Sequence, residues 1–476
     1  MLNNPVRLIH CMMGIQIQHG YIVHYVIISI LLSGDGPVAA MSQSSPCLWT
    51  RLPQSSRSPC DRYKHACCSH DGNVYILGGR NSSGLGDFWR YSVVRNDWTE
   101  LNCTSEAAPE ELEEHSMVAH EGFLYVFGGI LDSAYTAWRC PLWVFDLAKQ
   151  TWVNCQRPTR PAQMPTNRKA HSAVVVGSAM LVYGGFVDMK GSSHDFWSLD
   201  LDTMAWSLLS GPQQASLGPG PRHSHSAVAS QSCMFLFGGL KGLREQRDFW
   251  RWSSTSDTWT SLRNKSGPSR LMGHSAVAYK DSMLIFGGGE SQNYPKNCLW
   301  RYNFTTQSWG QVATVPGSNP PDKIHHCCAG LGPSYKYSSS SSSSSSGIQP
   351  GLLGGKLRHF KNKCFPAPLT FLGSEGAIEL ETFSPDRCYG GTTLAPPSSP
   401  DHSTEGSMGT DAQLTGNCLT FENKSFRTQW SPTEELLDEE DHDVAQHLPD
   451  LLLVLGGRPW TRHSPISIWQ MTLTDS

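Results

Sequence analysis

Three side chains in the C-terminal quarter of the chain have a spacing that could hold a divalent metal. Glu439, Asp443 and His447 lie four residues apart, and on a helix this spacing would place them on one face. Carboxylate and imidazole groups are ordinary ligands for divalent metals. The three residues overlap a strongly acidic run, Glu434–Asp443, in which such spacings arise by chance. A solvated acidic segment is the favoured interpretation, and we predict no metal and no cofactor.

Six histidines recur, each at the start of a short apolar segment. They are His65, His115, His171, His225, His274 and His326. A side chain that recurs once per structural unit usually serves that unit, so we predict a structural hydrogen bond for these histidines and no ligand. A basic residue precedes most of them. Arg62, Arg168 and Arg222 lie three residues before their histidine, Arg270 lies four before, and Lys323 takes the place in the sixth unit, whereas the second unit has Leu112.

The elements that position these side chains are repeated as well. In the first five units a Gly-Gly pair begins 13 residues after the histidine, at Gly78, Gly128, Gly184, Gly238 and Gly287. An apolar and aromatic stretch such as FWRY follows each pair, and a tryptophan comes seven residues after that stretch, at Trp98, Trp152, Trp206, Trp259 and Trp309. Short apolar segments bounded by Gly, Asn, Asp and Ser predict four antiparallel strands per unit, a to d. The glycines are expected where strand b ends in a crowded place that requires positive φ, and the tryptophans between neighbouring units.

This pattern resembles the kelch family, whose hallmark is a double glycine after an apolar strand followed by a spaced aromatic residue and a tryptophan. The resemblance covers residues 47–332 and 451–476 and implies a β-propeller whose blades are the repeats. It also implies a non-enzymatic interaction module. Kelch proteins commonly serve as substrate receptors of ubiquitin ligases, as trafficking effectors or as scaffolds.

The sixth unit is interrupted and must borrow a strand. Its histidine, His326, is separated from its glycine pair, Gly456-Gly457, by 130 residues, and the chain ends before a strand d tryptophan can appear. The segment around Trp49 matches the strand d segments around Trp98 and Trp259. We therefore predict an all-β, six-bladed propeller, closed by an N-terminal strand d that joins the C-terminal blade.

Composition shifts divide the chain into four segments. Residues 1–46 are a leader or an upstream extension, predicted to be disordered. Residues 47–332 form the propeller up to the start of blade six. Residues 333–450, with nine consecutive serines from Ser338 to Ser346, are predicted to be a disordered insert in the a–b connection of that blade. Residues 451–476 complete the blade.

The d–a and b–c connections leave the same face of a propeller, so their side chains are expected to share one mouth. Arginines and aromatic residues in these connections suit the capture of an acidic or C-terminal peptide of a protein partner. The alternative function is a metal-dependent enzyme that uses Glu439, Asp443 and His447 or the central channel. The predicted partner-binding residues are Arg62, Arg80, Arg168, Arg222, Arg270, Arg458, Tyr135, Trp138, Tyr294 and Trp460.

Net charge and cysteine content narrow the possible partners and the cellular location of the protein. The net charge of −4 argues against a general nucleic-acid binder. The 15 cysteines contain no CxxC pair, which favours a reducing compartment, and we predict a cytoplasmic location or a nuclear one. The apolar run Tyr21–Leu32 is too short to span a membrane. Secretion is the alternative, if residues 1–40 act as a signal peptide. We expect a monomeric propeller with neither a membrane nor a nucleic acid as partner.

Overall fold

The computed structural model describes residues 46–131, 141–153, 164–210, 218–335 and 448–474. These residues form six four-stranded antiparallel sheets, which are the blades of a β-propeller. Each blade runs from an inner strand a to an outer strand d. Most of the predicted leader (1–46) and of the predicted disordered insert (333–450) lies outside the described residues, which include residues 46, 333–335 and 448–450 of these segments.

The strand bounds follow the repeat. Blade 1 contains β2 (Ala66–His70), β3 (Asn73–Leu77), β4 (Phe88–Ser92) and β5 (Asp97–Leu101). Blade 2 contains β6 (Ser116–His120), β7 (Phe123–Phe127), β8 (Leu142–Asp146) and β9 (Thr151–Val153). Blade 3 contains β10 (Ser172–Val176), β11 (Ala179–Tyr183), β14 (Phe196–Asp200) and β15 (Ala205–Leu208). Blade 4 contains β16 (Ser226–Ser230), β17 (Cys233–Phe237), β20 (Phe249–Ser253) and β21 (Thr258–Leu262). Blade 5 contains β22 (Ser275–Tyr279), β23 (Ser282–Phe286), β24 (Leu299–Asn303) and β25 (Ser308–Gln311).

Blade 6 is assembled from both ends of the described chain. Its strands are β26 (Cys327–Leu331), β27 (Leu451–Leu455), β28 (Ile468–Thr472) and β1 (Trp49–Leu52), in this order across the sheet. Trp49 pairs with Met471, just as Trp309 pairs with Tyr302 in blade 5. The predicted fold class and the closure of the ring by an N-terminal strand d are confirmed.

Short elements decorate the connections between the strands. In blades 3 and 4 the b–c connections form two small hairpins, β12 (Phe186–Val187) with β13 (Gly191–Ser192) and β18 (Leu240–Lys241) with β19 (Arg244–Glu245). The one helical element in the described ranges is a single 3-10 turn, Pro333–Tyr335, directly after β26. In these ranges no helix is long and apolar enough to cross a lipid bilayer.

The hydrophobic core lies between the blades. Six buried clusters each join residues of two neighbouring blades, one cluster for each of the six interfaces. The strand d tryptophan of one blade packs against aromatic residues of the blade before it, as in Trp152 with Phe88 (ring centroids 5.4 Å apart) and Trp49 with Phe286 (5.3 Å). The repeated tryptophans therefore stabilise the ring, as the sequence predicts.

The glycine pairs lie where two blades meet. Gly128 and Gly129 have φ values of +76° and +81°, which residues with a side chain rarely adopt. A Cβ on Gly128 would lie 2.5 Å from the carbonyl oxygen of Arg168 and 2.7 Å from Cε1 of His171. The second glycine of each pair donates its N–H to a backbone carbonyl of the next blade. These donors are Gly79, Gly129, Gly185, Gly239, Gly288 and Gly457.

A second set of hydrogen bonds closes a ring around the channel. The residue just before each repeated histidine donates its backbone N–H to the carbonyl oxygen of its counterpart in the preceding blade, over 2.8–3.0 Å. All but Gly273 are non-glycine residues with positive φ. The six members, which we call the axial ring, are Lys64, Glu114, Ala170, Ser224, Gly273 and His325.

Candidate functional site

The d–a and b–c connections do share one face, which we call the loop face. In every blade a residue of the d–a connection forms an isolated antiparallel bridge with the residue that follows the glycine pair. The six bridges are Tyr63 with Arg80, Leu112 with Ile130, Lys169 with Phe186, His223 with Leu240, Met272 with Gly289, and Ile324 with Arg458. This pairing fixes the two kinds of loop side by side around the axial ring.

Three arginines of the predicted site are buried beneath the loop face. Arg62, Arg168 and Arg222 are 0%, 1% and 0% exposed. Arg222 makes two hydrogen bonds to Asp248, of 2.9 and 2.7 Å, and one to the carbonyl oxygen of Gly238, of 2.8 Å. Arg62 likewise makes two hydrogen bonds to Asp87 and one to the carbonyl oxygen of Gly78. Arg168 makes one to Asp195 and one to the carbonyl oxygen of Gly184. These guanidinium groups are not available to a partner, and their predicted binding role does not fit their burial.

The aspartates are held in their charged form by these contacts. Burial alone would raise the pKa of Asp248, but the hydrogen bonds and the charge of Arg222 bring it below its usual value of 3.8. Asp87 behaves in the same way with Arg62, and Asp195 with Arg168. Each arginine therefore fastens a d–a connection to the start of strand c within its own blade.

The sequence contained a signal for these pairs that the prediction missed. An aspartate precedes the FW motif in blades 1, 3 and 4, at Asp87, Asp195 and Asp248, and these are the three blades with an arginine three residues before the histidine. Blade 2 has Leu112 and Pro141 at the two places. Blade 6 has Lys323 and Ser467, which hydrogen bond to each other over 3.2 Å. Covariation between repeats of one chain marks the pairs as structural.

Three side chains, those of Tyr63, Arg458 and Trp460, come together on the loop face where blade 6 meets blade 1, and we call them the seam cluster. The guanidinium carbon of Arg458 lies 5.3 Å from the centre of the Tyr63 ring, a distance typical of a cation–π contact. The ring of Trp460 lies 6.4 Å from the Tyr63 ring. Arg80 pairs with Tyr63 through the backbone alone, and its side chain reaches Glu113 of blade 2 instead. Two predicted site residues, Arg458 and Trp460, therefore meet around Tyr63, which the sequence prediction omitted.

The loop that carries Arg458 and Trp460 is anchored from blade 1. The buried carboxylate of Asp61 accepts a hydrogen bond from the backbone N–H of Thr461, over 2.9 Å. The backbone of Asp61 also donates to the carbonyl oxygen of Ser464, over 2.8 Å. Within the described residues Arg458 makes no ion pair and is exposed. The loop thus presents an exposed cation on the ring of Tyr63, with Trp460 on the same ring.

Acidic and basic residues alternate beside the seam cluster at the axial ring. Glu113 lies 3.0 Å from Arg80 and 3.9 Å from both Lys64 and Lys169. Glu114 lies 3.3 Å from Lys64. The basic groups nearest the axis therefore pair with the two glutamates of blade 2, whereas Arg458 at the seam has no ion pair among the described residues.

The remaining predicted site residues do not join this cluster. Arg270 is exposed in blade 5, where its charge contributes to lowering the pKa of Glu290, after the larger effect of Lys296 and Ser269. Tyr294 is 74% exposed in the b–c loop of the same blade. Tyr135 and Trp138 lie outside the described residues.

The repeated histidines support the blades from within. Each places its ring edge against the first glycine of the preceding blade. The Nε2 atoms of His171 and His225 lie 2.8 and 2.9 Å from the hydroxyls of Ser116 and Ser172. Burial lowers the pKa of His115 and His171 to about 3 and that of His274 to about 4. The rings of His115, His171 and His274 are therefore neutral structural groups at pH 7.

The alternative function, a metal-dependent enzyme, requires side chains that can hold a metal ion. Among the described residues, no three His, Cys, Asp or Glu side chains are placed to hold a metal ion. Glu439, Asp443 and His447 lie outside the described residues, and the metal-dependent alternative for them stays a prediction.

Comparison with known proteins identifies the repeat. The model of the KLHDC2/KLHL20/DRC7 Kelch-repeats domain matches residues 41–164 and 140–335. The chain belongs to the kelch-repeat family. Its propeller is thus of a kind that generally serves as a protein-interaction scaffold.

Curated relatives share this region at moderate identity. The chain is 26% identical over 226 residues to Kelch domain-containing protein 10 of Xenopus laevis, covering 45% of this chain and 53% of the relative. It is 29% identical over 241 residues to human Kelch domain-containing protein 3, covering 46% and 61%. It is 27% identical over 243 residues to human Host cell factor 2, covering 43% and 30%. The matches thus span between about a third and two thirds of these relatives.

Proposed function

We propose that this kelch propeller is a non-enzymatic binding module that captures a protein partner on its loop face, through an acidic or C-terminal segment. The observation that carries the proposal is the seam cluster, in which Arg458 stands exposed on the ring of Tyr63 beside Trp460. Arginine binds carboxylates through paired, charge-assisted hydrogen bonds. Arginine and aromatic side chains also dominate the energetically important centres of protein interfaces.

Because three of the predicted arginines are buried, the binding experiment replaces an exposed arginine instead. A variant of Arg168 or Arg222 would alter the stability of a blade and would not report on binding. Arg458 is exposed, so its replacement changes surface charge and leaves the core intact.

Affinity capture with Arg458→Ala tests the proposal. We expect the variant to lose the partners that the wild-type chain retains, at unchanged thermal stability. Arg244→Ala is the matched control, because Arg244 is an exposed arginine of the same face in blade 4. A partner set that is unchanged by Arg458→Ala, or lost equally in both variants, would contradict the seam cluster as the binding site.

Binding of synthetic peptides distinguishes the two kinds of segment. A peptide from a captured partner is compared with its C-terminally amidated form and with a form in which acidic side chains are replaced by amides. Loss of binding only on amidation assigns the terminal carboxylate. Loss only on replacement of the side chains assigns an acidic segment.

The role of ubiquitin-ligase substrate receptor, implied by the family resemblance, stays a prediction within this proposal. If the chain has this role, a ubiquitin-ligase scaffold should be among the captured proteins. The Arg458→Ala variant should still capture that scaffold but should lose the substrates. A capture without any ligase subunit would remove this role and leave the binding module intact.

A further inference from the structure

Four cysteines lie on the two inner strands that meet where the ring closes. Cys67 and Cys68 belong to β2 of blade 1, and Cys327 and Cys328 belong to β26 of blade 6. All six inner strands are described, and the other four carry no cysteine. The position of Cys327, directly after the repeated histidine, is occupied by serine in blades 2 to 5.

The thiols of Cys67 and Cys327 face each other across this seam. The Sγ of Cys327 donates to the carbonyl oxygen of His65 over 3.0 Å, and the Sγ of Cys67 donates to the carbonyl oxygen of Cys328 over 3.6 Å. Each thiol therefore reaches the backbone of the strand segment that leads into or carries the other cysteines. Both residues are half-buried free thiols, because inner strands line the central channel of a propeller. Small oxidants can therefore reach them.

We propose that Cys67 and Cys327 are an oxidisable dithiol, which a peroxide converts into a disulfide that joins blade 1 to blade 6. Cys327 is the thiol that reacts first. The neighbouring Cys67 thiol favours the Cys327 thiolate and lowers the pKa of Cys327, whereas the bond that Cys327 donates to the carbonyl oxygen of His65 belongs to its protonated form. Burial raises the pKa of both Cys68 and Cys328, so these neighbours stay as unreactive thiols.

The chemistry balances with one hydrogen peroxide. The Cys327 thiolate attacks one peroxide oxygen, the O–O bond breaks, and the departing hydroxide takes up a proton to form water, which leaves a sulfenic acid. The Cys67 sulfur then loses its proton and attacks the Cys327 sulfur. The S–S bond forms, the S–O bond breaks, and the hydroxide leaves as a second water. Two thiols are oxidised by two electrons, and the peroxide is reduced by two.

The disulfide would enclose five blades in one covalent loop. Residues 67 and 327 bracket blades 1 to 5, so the cross-link would restrict the unfolded chain over about 260 residues, and long loops give the largest entropic effect. At this seam blade 6 is itself held together by β1 and β28, which come from distant parts of the chain. The proposal does not depend on the proposed binding function.

Peptide mapping of the full chain tests the proposal. The reduced protein is treated with hydrogen peroxide, free thiols are alkylated, and non-reduced digests are analysed by mass spectrometry. We expect one major cross-linked pair, which joins the peptides of Cys67 and Cys327. We also expect the apparent Tm to rise by about 5 °C and to fall back to that of the reduced protein when dithiothreitol is added.

Two variants give the controls. Cys327→Ser should abolish both the cross-link and the rise in Tm, whereas Cys233→Ser, which alters a half-buried thiol on strand b of blade 4, should leave both unchanged. A cross-link of Cys67 to any other cysteine, or full alkylation of Cys67 and Cys327 after peroxide, would overturn the proposal. The mapping uses the wild-type chain, so it decides the question even if a variant does not fold.

Discussion

At the scale of single residues, the burial of an arginine decides what it can do. Arg62, Arg168 and Arg222 resemble Arg458 in sequence, since all lie in connections of one face. The structure separates them, because the first three each reach an aspartate inside their own blade and Arg458 has no such partner among the described residues. Removing one partner of a buried ion pair is costly, because the other charge then stays buried without a partner.

Arg222→Ala should therefore weaken the fold. Asp248 would keep its charge in a largely buried place without its partner, and we expect a loss of about 2 kcal/mol in the free energy of unfolding, since Asp248 is partly screened by solvent. Denaturant titration measures the change. Arg270→Ala, which alters an exposed arginine, should leave the midpoint unchanged, and an equal effect of both variants would refute the structural role of Arg222.

The neutral histidines predict a dependence of stability on pH. A histidine whose folded pKa is lowered binds a proton in the unfolded chain but not in the folded one between the two pKa values. For His115, His171 and His274 this window runs from about 6.5 down to about 4 or 3. Stability should be full above pH 6.5 and fall as the pH is lowered through the window.

Urea titrations between pH 7 and pH 4.5 measure this effect. A substitution that cannot take a proton, His274→Gln, should lower stability at pH 7 and make its decline with pH shallower. A decline of the same slope in wild type and variant would show that His274 does not contribute.

At the scale of elements, the interrupted blade shows that a strand pair can form across a long insertion. β26 and β27 pair from Cys327–Leu455 to Leu331–Leu451, as in the uninterrupted a–b hairpins. The side chain of Asp450 accepts hydrogen bonds from the backbone N–H and the hydroxyl of Ser334, over 2.9 and 2.6 Å. The two strands are thus fixed to each other by described residues alone.

Replacement of residues 336–447 by a short Gly-Ser linker should therefore preserve the propeller. We expect an unchanged β-sheet circular dichroism spectrum and a Tm within a few degrees of that of the full chain, because loop length affects closure entropy only weakly. The same replacement combined with Asp450→Ala should lower the Tm further. Unfolding of the shortened chain would mean that the segment takes part in the fold.

The repeat made most of the elements predictable. The spacing of histidine, glycine pair and tryptophan located the strands, because each of these residues has one structural place in every blade. The Trp49 segment, which has the strand d pattern but precedes the first repeat, located the closing strand. The seam cluster was harder to foresee. Tyr63 lies about 400 residues before Arg458 and Trp460 along the chain, and it meets them only because the ring closes between blades 6 and 1.

At the scale of the whole molecule, closure depends on a single strand of four residues. β1 covers the outer edge of β28 and carries Trp49, which is buried against blade 5. Without it, blade 6 would expose an unpaired strand edge, and such edges promote association with other chains.

Removal of residues 1–52 should therefore lower the Tm and cause self-association, seen as larger species by size-exclusion chromatography with light scattering. The matched control lacks residues 1–45 and keeps β1, and its propeller should stay monomeric with an unchanged Tm. A monomeric and stable chain without β1 would contradict closure by this strand.

The axial ring has a consequence for how anions can be recognised here. Its six backbone N–H groups, and those of the six second glycines, all donate to carbonyl oxygens of neighbouring blades. A carboxylate that arrives at the axis therefore finds these twelve amides of the described chain already paired. Charge selection is left to side chains such as Arg458, which can be exchanged without disturbing the ring. A change of partner in this propeller would thus require only surface substitutions.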